Sequence, residues 1–172
     1  TLAEFPWPKS QRWGVTRFRW VRPLHRVNVM FGGQPLSGDL DLGGASLPFT
    51  ATSRGHYFEH AGDIDLTGVA SAADYVARLR AGHVMIDRAE RRGAVIDGAT
   101  RLASEAGSTL CMNEGLIDEV CGLVEWPALL FGSIEERFMA LPDEVLEASI
   151  RAHQKYLVTE DAAGALQPGF II

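Results

Sequence analysis

The sequence predicts an α+β fold: a small mixed or antiparallel sheet with helices packed on it. Three observations predict it. Capped segments with apolar residues at three-or-four spacing alternate with short β-favouring runs. The alternation is irregular and does not form clean βαβ units. Where the chain leaves its last helical stretch, the period changes abruptly from helical to extended, between Leu141 and Asp161.

That last stretch, LPDEVLEASIRAHQKYLVTED, organises the prediction. Pro142 and Asp143 stand at a helix start, with Glu144 and Glu147 in the first turns. Val145, Leu146, Ser149, Ile150 and His153 form one predicted stripe, and Glu147 can reach Arg151 four residues on. Tyr156-Leu157-Val158-Thr159 then reads as a strand. His153, Gln154, Lys155 and Tyr156 therefore fall at a helix-to-strand junction, where four long polar or half-polar side chains exceed what a connection needs.

From the start, Pro6 and Pro8 make the first dozen residues an extended lead-in. RWGVTRFRWVRP interleaves arginines with Trp13, Phe18 and Trp20. Such a pattern either stacks on bases and holds phosphates, or buries its rings while the arginines reach outward. His25–Phe31 is a predicted strand with Val27, Val29 and Phe31 on one face, turning at Gly32-Gly33. Residues 39–48 predict a hairpin or surface loop. In TSRGHYFEH, Arg54, Gly55 and His56 form a polar tip leading into Tyr57 and Phe58. His56 and His60 have the i,i+4 spacing of a metal helix, but Tyr57 replaces the glutamate and no third ligand is near, so hydrogen-bonded histidines are expected.

Ser71 caps a helix ending at Gly82, and His83–Ile86 is a predicted inner strand. Asp87 caps a long helix to about Ala106, with Ala89, Val95, Ile96, Ala99, Leu102 and Ala103 inward. Asn113 caps a short helix carrying Leu116, Ile117 and Val120. Pro127 interrupts the apolar run 122–131, and Glu125 is expected to pair with an arginine. Residues 133–139 form a helical turn. A polar hairpin around Ala163-Gly164 leads to an apolar end strand.

The 172 residues, 47% hydrophobic and 22% charged, suit a folded domain. They are read as one α+β domain, 1–172, excised from a longer chain, with 1–22 as a basic-aromatic lead-in. No apolar run is long enough for a membrane span and no signal peptide is visible, so a cytoplasmic location is expected. Cys111 and Cys121 are expected to be reduced, buried thiols. The net charge of −6 argues against nucleic-acid binding by the whole surface. It is uneven: Lys9, Arg12, Arg17, Arg19, Arg22 and Arg26 face only Glu4 in the first 31 residues. No nucleophile elbow, Cys–His neighbour or phosphate loop is present. Asp63 and Asp65 are explained by a turn.

Several of these segments resemble, in order, the beta subunit of the bacterial two-subunit glycyl-tRNA synthetase. They are RWG at Arg12–Gly14, RPLH at Arg22–His25, TSRGHYF at Thr52–Phe58 and VMIDRAERR at Val84–Arg92. LIDEV, LVEWPALLFGS and LPDEVLEASIRAHQKYL follow at 116–120, 123–133 and 141–157. Lys155 and Leu157 stand where the family tends to have arginine and phenylalanine, and Ile150 where methionine is common.

The resemblance implies an N-terminal fragment with a core similar to the B3/B4-type region of the phenylalanyl enzyme's beta subunit. It implies a non-catalytic tRNA-contacting and assembly domain. Its partners would be glycine tRNA, the alpha subunit and the remaining beta-subunit domains, with no membrane. The alpha subunit would use ATP with magnesium, and the fragment itself no cofactor or metal. RNA-contact candidates are Arg12, Trp13, Arg22, His25, Arg54, His56, His153, Gln154, Lys155 and Tyr156; no catalytic residue is assigned. The alternatives are a purely structural scaffold and an editing-like aminoacyl-tRNA hydrolase, for which no editing residue can be matched.

Overall fold

Side-chain caps start the three long helices of the computed structural model, which describes residues 2–172. Ser71 accepts from the Asp74 amide, Asp87 from Glu90 and Asn113 from Leu116, each satisfying an amide that the helix leaves open. The chain is α+β, with several small sheets in place of the one expected. It divides into two compact units, one up to Val84 and one from Met85 to Ile172. No helix among the described residues is long and apolar enough to cross a membrane.

In the first unit, β1 (Val27–Asn28) runs parallel to β5 (Ser46–Thr50), and β4 (Asp39–Asp41) closes the other side antiparallel. The predicted 39–48 hairpin is therefore present. β2 (Met30–Phe31) and β3 (Gln34–Pro35) form a hairpin around Gly32-Gly33, whose φ values of 57° and 77° suit glycine. β6 (Thr52–Arg54) pairs antiparallel with β7 (Asp63–Asp65), and α1 spans Ala72–Ala81. Asn28 donates to the carbonyls of Thr50 and Thr52, tying β1 to the bend between β5 and β6. Ile64, Leu66, Val69 and Leu79 form the core, with Tyr75 and Val84 against it. A second cluster is aromatic. Phe18 is buried and stacked on Trp20, and Trp7 meets Trp20 edge-on at 4.9 Å.

In the second unit, α2 (Arg88–Glu105) and α3 (Glu114–Leu123) cover a four-stranded antiparallel sheet. Its strands are β8 (Thr109–Leu110), β9 (Phe131–Ser133), β10 (Leu157–Glu160) and β11 (Leu166–Ile171), in the order β8-β10-β11-β9. Val95, Ala99 and Ala103 of α2 pack with Leu116, Ile117, Cys121, Leu157 and Ile171. Arg92 pairs with Glu114 and Asp118, and Arg88 also reaches Asp118, clamping α2 to α3 at the surface. These guanidinium bonds, Arg88's first, hold the Asp118 carboxyl below its ordinary range.

α4 covers only Asp143–Glu147, and Ala148–Gln154 winds as a π-helix. Lys155 ends it in the left-handed region at φ 62°, and both Lys155 and Tyr156 donate their amides to Ile150. The π winding corrects the predicted stripe. Leu146 and Ile150 face inward as the stripe has it, but the π winding brings Arg151 and Lys155 in beside them and leaves Ser149 and His153 exposed, and Val145 of α4 is exposed as well. The Glu147–Arg151 pair forms at 2.9 Å, as the sequence anticipates.

Other expectations are corrected. His25–Phe31 is broken into β1 and β2, and Phe31 is 78% exposed. His83–Ile86 is not a strand: His83 takes φ 57°, and the His83 and Val84 amides close the end of α1. Ala89 is exposed. Among the described residues Glu125 makes no ion pair; its backbone carbonyl accepts from the Met85 amide and its side chain faces solvent. Both cysteines are free thiols as expected, but only Cys121 is buried and Cys111 is half-buried.

Candidate nucleic-acid interface

The β6–β7 hairpin and the entry to β1 build an open groove of about 670 Å³ in the first unit. Pro23, Leu24, His25 and Arg26 line one wall, and Ser53, Arg54 and Tyr57 the other. Arg26 is fixed in place. Its guanidinium pairs with Asp63 at 2.9 Å and donates to the Thr52 hydroxyl and the Ser53 carbonyl. Asp63 lies opposite Arg54 in the ladder, yet its carboxylate is taken by Arg26. Arg54 is left exposed without a carboxylate partner, its guanidinium carbon 5.6 Å from the Tyr57 ring centroid.

After β6 the chain makes a tight turn, stapled by His56. The His56 amide donates to the Gly82 carbonyl, and its Nδ1 accepts from the amides of Phe58 and Glu59. This assigns Nδ1 as an acceptor, so a proton can sit only on Nε2 in this arrangement. The His60 amide returns to the His56 carbonyl. The His56 imidazole is thus a hydrogen-bonding group of the fold, while His60 takes part through its backbone, and the turn lifts Tyr57 (69% exposed) and Phe58 (83%) into solvent. The expected polar tip is therefore aromatic, because Gly55 is buried and Arg54 lies in the groove wall.

Of the ten candidate residues, the groove brings together His25 and Arg54. Arg22 is exposed immediately before the groove wall and donates only to the Val21 carbonyl. Arg12 is exposed outside the lining, and Trp13 packs edge-on against Phe18. His56 holds the turn. The other four belong to the second unit. His153 and Gln154 are exposed at the end of the π-helix; Lys155 pairs with Glu119 at 3.2 Å, and Tyr156 stacks flat on Phe170 at 5.2 Å. Sequence reasoning named neither Arg26 nor the exposed ring of Tyr57 as a site group. The adjacency of Arg26 to His25 and of Tyr57 to His56 was the available signal.

The surrounding charges are settled locally. Arg78 is consumed by Asp74 and by the carbonyls of Asp65 and Thr67. Its hydrogen bond holds the Asp74 carboxyl below the usual range, and the Thr67 amide does the same for Asp65. Among the described residues Arg12, Arg17, Arg19, Arg22 and Arg54 make no ion pair, whereas Arg26 and Lys155 are already neutralised by Asp63 and Glu119. In the second unit, burial first and then Glu160 push the Cys111 thiol up, although Arg151 donates to its sulfur at 2.7 Å. A thiol held protonated is a poor nucleophile.

The arrangement therefore offers cation, hydrogen-bond donor and stacking surface. The family model described as "Glycyl-tRNA synthetase beta subunit" matches residues 1–172. The chain is 40% identical to the glycine–tRNA ligase beta subunit of Rhodospirillum centenum, covering 99% of this chain and 26% of that protein. It is 41% identical to the corresponding subunit of Paracoccus denitrificans, over 99% of this chain and 24% of that protein. For Pseudomonas savastanoi the figure is 37%, with the same coverage. The chain thus spans about a quarter of the length of these relatives. With every one of its residues inside the family match, and such identity along nearly its whole length, the chain belongs to the glycyl-tRNA synthetase beta-subunit family.

Proposed function

We propose that this chain is a non-catalytic, tRNA-contacting and assembly portion of a glycyl-tRNA synthetase beta subunit. The parent enzyme ligates glycine to its tRNA with ATP, and the alpha subunit carries that chemistry. Its setting is the cytoplasm, and its partners are glycine tRNA, the alpha subunit and the rest of the beta subunit. Residues 1–172 act in this reading as one functional piece with a B3/B4-type core. The groove holding His25, Arg26 and Arg54 carries the proposal, because Arg54 is exposed and unpaired while Arg26 is already locked. Guanidinium groups in such a place meet phosphates and position RNA without reading its sequence. Arg12 and Arg22 extend the cationic edge, with Trp13 as a packing ring at its base.

Lys155, Tyr156 and His56 favour the scaffold reading for themselves, since each is spent on the chain's own packing. His153 and Gln154 remain exposed groups for contact with RNA or with the alpha subunit. Titration of the chain with glycine tRNA at increasing salt tests the proposal. Binding is expected at low salt, with log affinity against log salt falling at a slope of about −2 or steeper. Binding indifferent to salt, or none at low salt, would overturn it.

A further inference from the structure

The exposed rings beside the groove are not explained by phosphate contacts. Tyr57 and Phe58 meet edge-on at 4.9 Å and remain largely in solvent. Adjoining exposed rings form a contiguous apolar surface of the kind that marks a contact site. Nor are they loose. The His56 imidazole holds the amides of Phe58 and Glu59, the Gly55 amide donates to the Gly62 carbonyl, and the Gly62 amide to His60. A turn tied at so many points presents its rings ready-made, and little freedom is lost when a ligand lands on them.

Resting on the RNA reading above, we infer that the Tyr57–Phe58 turn receives an unpaired nucleotide of the RNA. Its base lies on these rings, and its phosphate lies against Arg54 and His25 in the groove. The neighbouring geometry selects this class. Tyr57 lines the groove and also carries the Arg54 cation at 5.6 Å, so a stacking surface and a phosphate donor sit side by side. Bases stack on aromatic rings only when they are free of their own helix. A continuous RNA duplex keeps its bases stacked inside and would leave both rings uncovered. Glu59, exposed next to Phe58, opposes a phosphate at the far end of the turn and directs the backbone towards the Arg54 side.

The test compares an unpaired ten-nucleotide RNA with a blunt duplex of the same sequence, using the chain and its Tyr57→Ala/Phe58→Ala variant. Both rings are exposed, so the thermal midpoint should hold. The wild-type chain should bind the single strand about tenfold more tightly than the duplex, and the variant should lose about tenfold for the single strand alone. A Tyr57→Leu/Phe58→Leu variant keeps apolar area but no aromatic face, and should lose as much. Equal binding of the two RNAs, or retention of single-strand binding by the leucine variant, would overturn this inference and leave the groove as a phosphate site. The latter result would point to an apolar protein partner at the turn. Failure of the wild-type chain to bind either RNA would overturn the RNA reading itself.

Discussion

Charge reversal at Arg54 (Arg54→Glu) should weaken binding of glycine tRNA about tenfold or more, with the fold and association with the alpha subunit unchanged. A hydrogen bond to a charged group contributes about 1.5–3 kcal/mol, and 1.4 kcal/mol is a factor of ten in affinity. Among the described residues the Arg54 guanidinium makes no ion pair and only lies over the Tyr57 ring, at 5.6 Å. Its backbone stays in the β6–β7 ladder, and Arg26 already neutralises Asp63. The new carboxylate would face Asp63 across the ladder at a cost of about 0.2–1 kcal/mol, and Arg54→Gln removes that complication. Unchanged tRNA affinity in both variants, with loss of alpha-subunit association, would instead assign Arg54 to the scaffold. Filter binding and co-purification measure the two outcomes separately.

The second large effect is steric. Gly55→Ala should destabilise the first unit by about 1–3 kcal/mol, the usual range for overpacking. A Cβ at Gly55 would run into the His60 ring and come within 2.9 Å of its Cβ. Because the obstruction includes the Cβ and not only the ring's far edge, rotation of His60 alone cannot clear it. The backbone of the turn would have to move, and with it Tyr57 and Phe58. His60→Ala should therefore recover part of the loss when combined with Gly55→Ala, a coupling that a double-mutant cycle in urea would resolve. Additive losses would show that the two positions do not oppose each other.

These expectations mark where the sequence speaks clearly. Ser71, Asp87 and Asn113 announced their helices because a cap is local chemistry: one side-chain oxygen and an amide three residues on. The junction at 153–156 was legible for the same reason, since a helical period and a β-favouring run cannot continue into one another. The interior of that helix was not. A stripe drawn at three-or-four spacing assumes α winding; the π turns from Ala148 to Gln154 keep Ile150 inward as the stripe has it, but turn Arg151 inward and His153 outward. β8 and β9, two and three residues long, exist through pairing with distant β10 and β11 and carry no pattern of their own. The site divides in the same way. Arg54 and His25 could be named from charge and motif. That Tyr57 and Phe58 would stand in water could not, because apolar rings in a short segment read as core until the His56 staple is known.

The central claim, that exposed arginines around this groove meet RNA phosphates, is tested most directly by comparing salt slopes. Glycine-tRNA affinity would be measured from low to moderate salt for the chain and for Arg22→Gln/Arg54→Gln. The account predicts a shallower slope in the variant, by about one for each arginine in phosphate contact. An identical slope, with affinity reduced or not, would contradict it.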